Sequence, residues 1–372
     1  MNANNLQQTV RDAIALMRTG DLNAATQSIQ RGLQRAPSLH RDAADAPPGK
    51  SSCIDGQSVV VSDAAGPADP DSVQISTTAP YAQSEQTGGF AHAEGAREYL
   101  VYAPTHRGVQ PAPLILMLHG CTQDAADFAR GTRVHQRAAA EGYVVVYPTQ
   151  TRSHNSGGCW NWFRPGDQQR GKGEPALLAG LVLEMLERFD CDPSRVYVAG
   201  LSAGAAMAVT LGRLYPDIFR AVGAHSGLAY GAAHDVPSAL SAMRSGAPRK
   251  PLEGAPSCEF VPTIAFHGDR DQTVAVANAR LIMEDATAAW AGARAPETQG
   301  RLEFSTTEGV ASGRGHTVTY ARDPSGKIVA ERWIVRGGGH AWFGGGTGGT
   351  FTDPAGPDAT AEMLRFFGST KS

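Results

Sequence analysis

The sequence lacks several features that would assign a protein to a class directly. Among its 372 residues, 33 Lys and Arg nearly balance 36 Asp and Glu, and no run is rich in Lys or Arg. We therefore expect no nucleic-acid partner. No apolar stretch reaches the roughly 20 residues of a membrane-spanning helix, so we expect no membrane span. The first twenty residues also lack the cationic start and apolar centre of a secretory signal peptide, which favours the cytoplasm.

Cysteine is scarce, and its spacing excludes further classes. No two cysteines form a C-x-x-C pair, so the sequence predicts neither a zinc site nor a redox motif. It has no other cluster of metal ligands and no phosphate-binding loop, and we predict no metal and no cofactor. Cys121 and Cys159 fall in loops that we place beside the candidate site. A disulfide between them is one of the pairings that the sequence allows, but sequence alone does not establish connectivity. The cysteines are Cys53, Cys121, Cys159, Cys191 and Cys258.

Composition divides the chain into three regions. Residues 1–37 carry apolar residues at helical spacing on both sides of Gly20 and predict a helical hairpin. One hairpin cannot bury its apolar face alone, which indicates a docking appendage or a site of self-association. Residues 38–92 are rich in Asp, Ala, Ser, Pro and Gly and predict a largely irregular linker. Residues 93–372 predict the main folded domain.

Apolar runs alternate with helix-prone segments throughout residues 93–372. The runs include PLILML, YVVVYP, VYVAG and TIAF. This alternation indicates an α/β domain with a mostly parallel sheet covered by helices on both faces. Residues 317–336 alternate around Pro324–Gly326, as a hairpin would. Sites in parallel sheets form at the carboxyl ends of strands, and each motif below follows such a run.

The segment Gly200–Gly204 reads GLSAG and fits the nucleophile motif G-x-S-x-G. A strand-like run precedes it and a helix-prone run follows it, which is the context that the motif requires. Glycines are needed there because a Cβ would strike the neighbouring strand or helix, and the helix N-terminus favours developing negative charge. The sequence therefore predicts Ser202 as a nucleophile. The alternative is a glycine-rich structural turn.

A serine hydroxyl needs a base, and the base needs an orienting acid. His340 follows an apolar strand and three glycines, a turn that can present an imidazole over the sheet edge; the alternative is a surface-loop histidine. In the Ser…Asp…His order the acid lies between Ser202 and His340, and the loop after the strand-like run VPTIAF offers Asp269 and Asp271. We choose Asp271 from the pattern H-G-x-x-D-x-x-V, a choice that rests on family resemblance more than on spacing. Asp269 could instead make turn hydrogen bonds.

A tetrahedral intermediate also needs two backbone N–H donors. We predict that Ala203, directly after the nucleophile, supplies one and that Cys121 supplies the other, since Gly120 lets that backbone approach the substrate. His119 is predicted to shape the loop rather than to carry a proton. Cys121 as a nucleophile is disfavoured because no His-rich partner motif precedes it.

Aromatic residues follow the candidate loops. We predict that Trp160 and Trp342 form walls of the pocket, since exposed rings suit an apolar polyester or an aromatic ester. Gln123 is assigned to substrate binding with them. Trp162 and Phe163 are predicted to cover the core instead.

The motifs LHGCTQ, GCWNWF, RGKGEPALLAG, RVYVAGLSAGAAMA, FHGDRDQTV, GGGHAW and GPDATAEMLRFF together resemble those of the polyhydroxybutyrate depolymerase-like esterase family. Relatives of that family include feruloyl and acetylxylan esterases. The resemblance covers about Arg97 to Phe367, and the motifs occur in the same order as in the family. It implies an α/β-hydrolase fold and a substrate-facing role for Trp342. It also implies nucleophile, acid, base and oxyanion donors at Ser202, Asp271, His340, Cys121 and Ala203.

Two departures from the family pattern are visible. Ala205 stands where relatives often carry a second Gly, and Phe343 follows Trp342 where Pro is common. Secreted depolymerases of the family carry a signal peptide and a separate polymer-binding domain, and neither is apparent in this sequence. The resemblance thus implies an extracellular location, against the N-terminal sequence. Because neither a signal peptide nor a polymer-binding domain is apparent, we expect oligomers or soluble esters rather than crystalline polymer as the substrate.

The resemblance implies ester hydrolysis through an acyl-enzyme. The expected substrate is a short-chain polyhydroxyalkanoate, polyhydroxybutyrate polymer or its oligomers. A feruloyl or acetylxylan-type ester is the first alternative. The second alternative belongs to another class: a non-catalytic scaffold recruited through the N-terminal hairpin.

Overall fold

The structure is a computed structural model that describes residues 82–106, 110–246, 260–293 and 300–370. The helical hairpin predicted for residues 1–37 and most of the predicted linker lie outside the described residues. The described residues belong to one unit, Pro80–Ser372. None of the helices in these ranges is both long and apolar enough to cross a membrane.

A ten-stranded sheet is the centre of the described fold, with the strand order β1-β2-β4-β3-β5-β6-β7-β10-β9-β8. A separate two-stranded sheet joins β11 to β12. The strands are β1 (Gln83–His92), β2 (Gly95–Pro104), β3 (Ala112–Leu118), β4 (Val144–Pro148), β5 (Cys191–Leu201), β6 (Ala221–His225), β7 (Thr263–Gly268), β8 (Glu303–Ala311), β9 (Arg314–Arg322), β10 (Ile328–Val335), β11 (Trp342–Phe343) and β12 (Thr352–Asp353).

The described helices follow the strands and connect them. They are α1 (Ala125–Thr132), α2 (Val134–Ala138), α3 (Gly173–Phe189), α4 (Ala203–Leu214), α5 (Val236–Ser245), α6 (Ala277–Gly292) and α7 (Ala359–Ser369). Local capping sets several of their starts. Asp124 accepts a hydrogen bond from the Asp127 amide at the start of α1, and Asp235 forms a capping box with Ser238 at the start of α5.

The middle of the sheet is parallel and its edges are antiparallel. Strands β4, β3, β5, β6, β7 and β10 pair in parallel, whereas β1 and β2 on one side and β9 and β8 on the other pair antiparallel. The predicted mostly parallel sheet is thus confirmed, and so is the hairpin, formed by β9 and β10.

Helices cover both faces of the sheet because the central strands are apolar on both sides. In β3, Leu116 packs into one core cluster and Ile115 into the other. The cluster that contains Leu116 takes its helical residues from α3, α4, α5 and α6. The cluster that contains Ile115 takes them from α1, α2 and α7. A central strand buried on both faces reads as a continuous apolar run, which is the pattern that predicted it.

The predicted start of the folded domain is wrong by about ten residues. Strand β1, Gln83–His92, lies within the region 38–92 that the sequence assigns to an irregular linker, and it pairs antiparallel with β2 along its length. The segment QSEQTGGFAH carries polar residues and glycines because an edge strand with one half-exposed face needs no continuous apolar run.

Candidate active site

Ser202 occupies the turn between β5 and α4. Its backbone has φ 57° and ψ −120°, a conformation that a residue with a Cβ adopts only under constraint. The Ser202 amide donates to the carbonyl of His225 at the end of β6, 2.9 Å away. A Cβ on Gly204 would lie under 3.0 Å from the carbonyl oxygen of Leu118, so α4 approaches β3 at a distance that only glycine permits. The predicted strand–turn–helix context of the nucleophile motif is confirmed.

Asp271 and His340 meet at the same end of the sheet. Asp271 follows β7 and His340 follows β10, and His340 Nδ1 lies 2.7 Å from Asp271 Oδ2. The other carboxylate oxygen, Oδ1, accepts from the amides of Thr273 and Val274 at 2.9 and 2.8 Å. The carboxylate is fully buried and the imidazole nearly so. Because Nδ1 donates to an anion, Nε2 of His340 is left as the proton acceptor.

The electrostatics of Asp271 favour its charged form. Burial opposes ionisation, but hydrogen bonds from His267 and His340, together with the charge of His340, hold the pKa of Asp271 well below its ordinary range. His267 is itself buried; its Nε2 lies 2.8 Å from the Val274 carbonyl and 3.4 Å from Asp271 Oδ2. The carboxylate therefore has a second imidazole neighbour that fixes its loop.

The structure brings Asp271, and not Asp269, to the imidazole. Asp269 Oδ1 instead accepts from the amide of Gly337 at 2.6 Å, which is the turn hydrogen bond considered as its alternative role. The amide of Arg270 donates to the carbonyl of Gly338 at 2.9 Å. These two bonds join the loop after β7 to the glycine turn after β10, and so position the acid relative to the base.

The turn after β3 approaches the nucleophile. A Cβ on Gly120 would lie 3.6 Å from Cβ of Ser202. Within this turn the Gly120 amide donates to Gln123 Oε1, and the Gln123 amide donates to the Gly120 carbonyl. The Thr122 amide donates to the Gly157 carbonyl. The Cys121 amide donates to no acceptor in the described part of the chain, and the Ala203 amide, at the first position of α4, has no intrahelical acceptor. Both predicted oxyanion donors are thus uncommitted amides, one directly after Ser202 and the other directly after Gly120.

Residues 97–292 match the family model described as Esterase PHB depolymerase, which is more than half of the 372 residues. The chain belongs to this family. The poly(3-hydroxyalkanoate) depolymerase C of Paucimonas lemoignei is 34% identical over 222 residues, which are 57% of this chain and 53% of the relative. The poly(3-hydroxybutyrate) depolymerase of Ralstonia pickettii is 32% identical over 254 residues, 64% of this chain and 50% of the relative.

This member of the family spans about half the length of these curated relatives. Feruloyl and acetylxylan esterases match it over shorter stretches. Among solved structures, an acetyl xylan esterase from Aspergillus awamori aligns with a TM-score of 0.58 at 18% identity, covering 77% of this chain and 99% of the other. At that identity the likeness concerns the fold, and the fold is that of an α/β-hydrolase.

The two tryptophans assigned to the pocket walls are not exposed, so the prediction of exposed rings at these positions is wrong. Trp160 and Trp342 both have 0% of their surface accessible. Trp342 donates from Nε1 to Thr360 Oγ1 at 3.0 Å and stacks on His225 with ring centroids 5.2 Å apart. The buried indole of Trp342, whose N–H has a partner, is a stable core residue, and sequence cannot distinguish it from a wall of the pocket. The prediction that Trp162 covers the core is confirmed.

Gln123 also differs from its predicted role of contacting substrate. Its side chain is buried and bonded to the protein: Oε1 accepts from the Gly120 amide at 2.9 Å, and Nε2 donates to Asp127 Oδ2 at 2.9 Å and to the Thr350 carbonyl at 3.0 Å. A satisfied, buried amide is a structural group. Gln123 therefore holds the turn that carries Cys121.

His119 shapes the loop, as the sequence predicts. Its ring is buried, with Nδ1 2.8 Å from the Gly120 carbonyl and Nε2 accepting from the Gln150 amide at 2.9 Å. Burial lowers the pKa of His119. Because Nε2 accepts from an amide, the ring proton lies on Nδ1. Gln150 in turn bonds to Glu174, which pairs with buried Arg97 at 3.0 Å.

Cys121 and Cys159 form a disulfide. It joins the turn after β3 to the loop between β4 and α3, next to the hydrogen bond from the Thr122 amide to the Gly157 carbonyl. Cys191 is a free, buried thiol, and Cys53 and Cys258 lie outside the described residues. Within the described ranges, no group of three or more His, Cys, Asp or Glu side chains is arranged to hold a metal ion.

Two residues at the site were missed from the sequence. One is His267, whose place directly before the turn to Asp271 could have indicated it. The other is Phe351, an exposed ring whose centroid lies 6.3 Å from that of His340. Phe351 follows a glycine- and threonine-rich run, a context that shows no periodicity, so only the tertiary fold places it beside the base.

Proposed function

We propose that this protein is a serine hydrolase that cleaves carboxylic esters through an acyl-enzyme. The observation that carries the proposal is the 2.7 Å pair of His340 and buried Asp271 at the sheet edge where Ser202 occupies its strained turn. Membership of the family supports the same conclusion. The order Ser, Asp, His along the chain is that of α/β-hydrolases.

In the first half-reaction, Ser202 Oγ attacks the ester carbonyl while His340 Nε2 takes its proton. Asp271, ionised and hydrogen-bonded to Nδ1, keeps the imidazole in the required tautomer and stabilises its charged form. The negative charge that develops on the carbonyl oxygen is stabilised by the amides of Cys121 and Ala203. One donor of this kind typically contributes about 2.7–4 kcal/mol.

The first half-reaction ends when the imidazolium of His340 gives its proton to the alcohol oxygen as that group leaves, and an acyl-Ser202 ester remains. In the second half-reaction water attacks this ester while His340 Nε2 takes its proton. The imidazolium then returns the proton to Ser202 Oγ as the acid is released. Each step uses one proton carrier and one oxyanion site, so no cofactor enters the scheme.

We propose short-chain polyhydroxyalkanoates, as polymer or oligomers, as the substrates. The two depolymerase relatives support this choice, although each is matched over only about half its length. Feruloyl or acetylxylan-type esters are the second candidate, supported by the relatives of that name.

The test is turnover of p-nitrophenyl butyrate, followed by a comparison of hydroxybutyrate trimer, polyhydroxybutyrate film, methyl ferulate and acetylated xylan. We expect hydrolysis that Ser202→Ala abolishes, and the highest kcat/KM on the trimer. Retention of the wild-type rate by Ser202→Ala would exclude the mechanism. Failure of a fluorophosphonate probe to label the wild-type chain would favour the non-catalytic scaffold instead.

We further propose that residues 1–37 mediate self-association, since the predicted hairpin has an apolar face that it cannot bury alone. The molar mass in solution of the full chain and of residues 80–372 tests this. We expect a larger assembly for the full chain; equal monomer masses would rule it out.

A further inference from the structure

Phe351 is an exposed aromatic residue beside the proposed base. Its surface is 44% accessible, whereas most large aromatic residues of the described chain are buried. Its ring stands edge-on to the ring of His340, at an interplanar angle of 79°. An exposed ring next to a proton-carrying group is available to a bound molecule. Its apolar surface is left in water, which is unfavourable until a ligand covers it.

The backbone of Phe351 adopts a conformation that bulky side chains rarely take. Its φ is 51°, in the left-handed region that bulky side chains avoid. Glycine would adopt this conformation without penalty, and glycine is abundant in the preceding segment. A strained residue persists only where its surroundings hold it, and such residues cluster at functional sites.

Three hydrogen bonds hold Phe351 in this position. Its carbonyl accepts from the Trp342 amide at 2.8 Å, two residues after His340. The preceding residue, Thr350, donates from its amide to Asp127 Oδ1 at 3.0 Å and accepts from Gln123 Nε2 at 3.0 Å. The ring is therefore presented from an anchored backbone on both sides.

The same anchor extends to the oxyanion turn. Gln123 bonds simultaneously to the Gly120 amide and to the Thr350 carbonyl, so one side chain fixes the turn of Cys121 and the segment of Phe351 together. The segment also packs directly on α1, where a Cβ on Gly349 would lie 2.5 Å from Cα of Gly131. Phe351 is thus positioned relative to the reacting groups and not merely near them.

We propose that Phe351 is the surface against which the alcohol portion of the ester packs, and that it selects esters with an apolar alcohol group. This inference rests on the proposed function. In that mechanism the imidazolium of His340 protonates the departing alcohol oxygen, so the leaving group lies at the His340 ring. The exposed ring in contact with His340 is then its apolar neighbour, and binding of an apolar alcohol group covers the exposed surface of Phe351.

The experiment compares methyl, butyl and benzyl butyrate, which share an acyl group and differ only in the alcohol. We expect the wild-type kcat/KM to rise from methyl to benzyl. Phe351→Gly, which suits the left-handed backbone, should lower the benzyl-to-methyl ratio of kcat/KM about tenfold. Phe351→Tyr retains the ring and should keep the ratio within about twofold of the wild type.

The matched control is Phe304→Ala. Phe304 is an exposed phenylalanine, 58% accessible, near the start of β8. It pairs with Ala321 near the end of β9, and this end of the strand points away from the catalytic loops. This variant should leave the ratio unchanged. A second readout is hydrolysis of the butyryl-enzyme, measured by mass spectrometry after rapid quenching. All three esters give the same intermediate, so Phe351→Gly should leave its rate within about twofold of wild type.

The outcomes separate the inference from the function on which it rests. If Ser202→Ala abolishes hydrolysis but Phe351→Gly leaves the benzyl-to-methyl ratio unchanged, the role of Phe351 is wrong and the proposed function stands. If Phe351→Gly slows all three esters and the hydrolysis of the butyryl-enzyme equally, its role is structural and the inference is overturned. If the wild-type chain hydrolyses none of the esters, the proposed function fails first.

Discussion

Asp271 is the residue whose ionisation decides what the candidate site can do. Its carboxyl is buried, yet the donors around it hold its pKa well below the ordinary range. A carboxyl whose folded-state pKa is depressed stabilises the fold above its unfolded pKa near 4, and that stabilisation is lost as the pH falls. At neutral pH Asp271 is therefore an anion, and in this form it both stabilises the fold and pairs with His340.

Replacing Asp271 by Asn should keep the shape of the site and remove its charge. We expect kcat on p-nitrophenyl butyrate to fall about ten-thousandfold, because an amide can hold the imidazole in the wrong tautomer and cannot stabilise the imidazolium. The matched variant is Asp269→Asn, which retains an acceptor for the Gly337 amide and should keep kcat within about tenfold. Equal losses in the two variants would contradict the assignment of the acid.

Asp167 shows the opposite electrostatic behaviour. It is buried, and its pKa is raised to about 6, chiefly by burial and in addition by the negative charge of Glu174. The hydrogen bond from the Glu174 amide and the positive charges of Arg164 and Arg97 oppose this rise. A raised carboxyl pKa means that the folded state binds the proton more tightly than the unfolded chain. Stability should therefore fall as the pH rises from about 4 to about 6 and change no further above that through this group.

Asp167→Asn tests this sign. The amide keeps the oxygen that accepts from the Glu174 amide, 2.7 Å away in the wild type, and carries no charge. We expect the variant to be about 1–2 kcal/mol more stable than the wild type at pH 7.5 and of similar stability at pH 4, by urea unfolding. Asp217→Asn is the control of opposite sign, since hydrogen bonds from Arg170 lower the pKa of Asp217. A pH-independent difference for Asp167→Asn would refute the argument.

At the scale of elements, the site depends on how closely α4 approaches the sheet. Gly204 lies in the first turn of α4, where a Cβ would be under 3.0 Å from backbone atoms of Leu118 and His119. Backbone cannot move aside as a flexible side chain can. The position of Ser202 is therefore a consequence of the packing of α4 on β3 as well as of its own turn.

Gly204→Ala should displace α4 and the nucleophile with it. We expect a loss of more than a hundredfold in kcat/KM and a lower melting temperature. The matched change is Gly368→Ala in α7, where an added Cβ meets no atom within 4 Å. That variant should be about 0.5–1 kcal/mol more stable, since alanine is the better helix former. Wild-type activity in Gly204→Ala would show that the close approach is dispensable.

The disulfide between Cys121 and Cys159 is the covalent link between two loops of the site. We expect Cys159→Ser to cost about 2–4 kcal/mol of unfolding free energy and to lower kcat, because the amide of Cys121 loses an anchor.

A reducing agent offers an independent test of the same link. Treatment of the wild type with a phosphine reductant should reproduce the loss seen in Cys159→Ser. Cys191→Ala is the control, because Cys191 is a free thiol in the core; its kcat should be unchanged and its response to the reductant that of the wild type. Full activity in Cys159→Ser would remove the disulfide from the account of the site.

At the scale of the whole molecule, the first strand decides where the folded domain begins. Strand β1 covers the edge of β2, and a Cβ on Gly180 of α3 would lie 3.0 Å from the ring of Phe90, so β1 also packs on α3. Without β1, the edge of β2 and the apolar surface beside Phe90 would face water.

Two truncations test this boundary. Residues 80–372 should keep the wild-type kcat/KM on p-nitrophenyl butyrate, since every proposed catalytic group and all of β1 remain. Residues 93–372, which begin at the boundary predicted from sequence, should melt at a clearly lower temperature and aggregate. Equal melting temperatures for the two chains would mean that β1 contributes nothing to the fold.

The sequence by itself determined those features that depend on local order. Apolar runs buried on both faces predict the parallel strands, and the glycines around Ser202 predict the strand–turn–helix, because each follows from neighbours along the chain. Only the tertiary structure decided which carboxylate reaches His340, which cysteines pair, that Trp160 and Trp342 are buried, and that Phe351 is exposed. These depend on distances between segments far apart in the chain, and residue type and spacing carry no record of such distances.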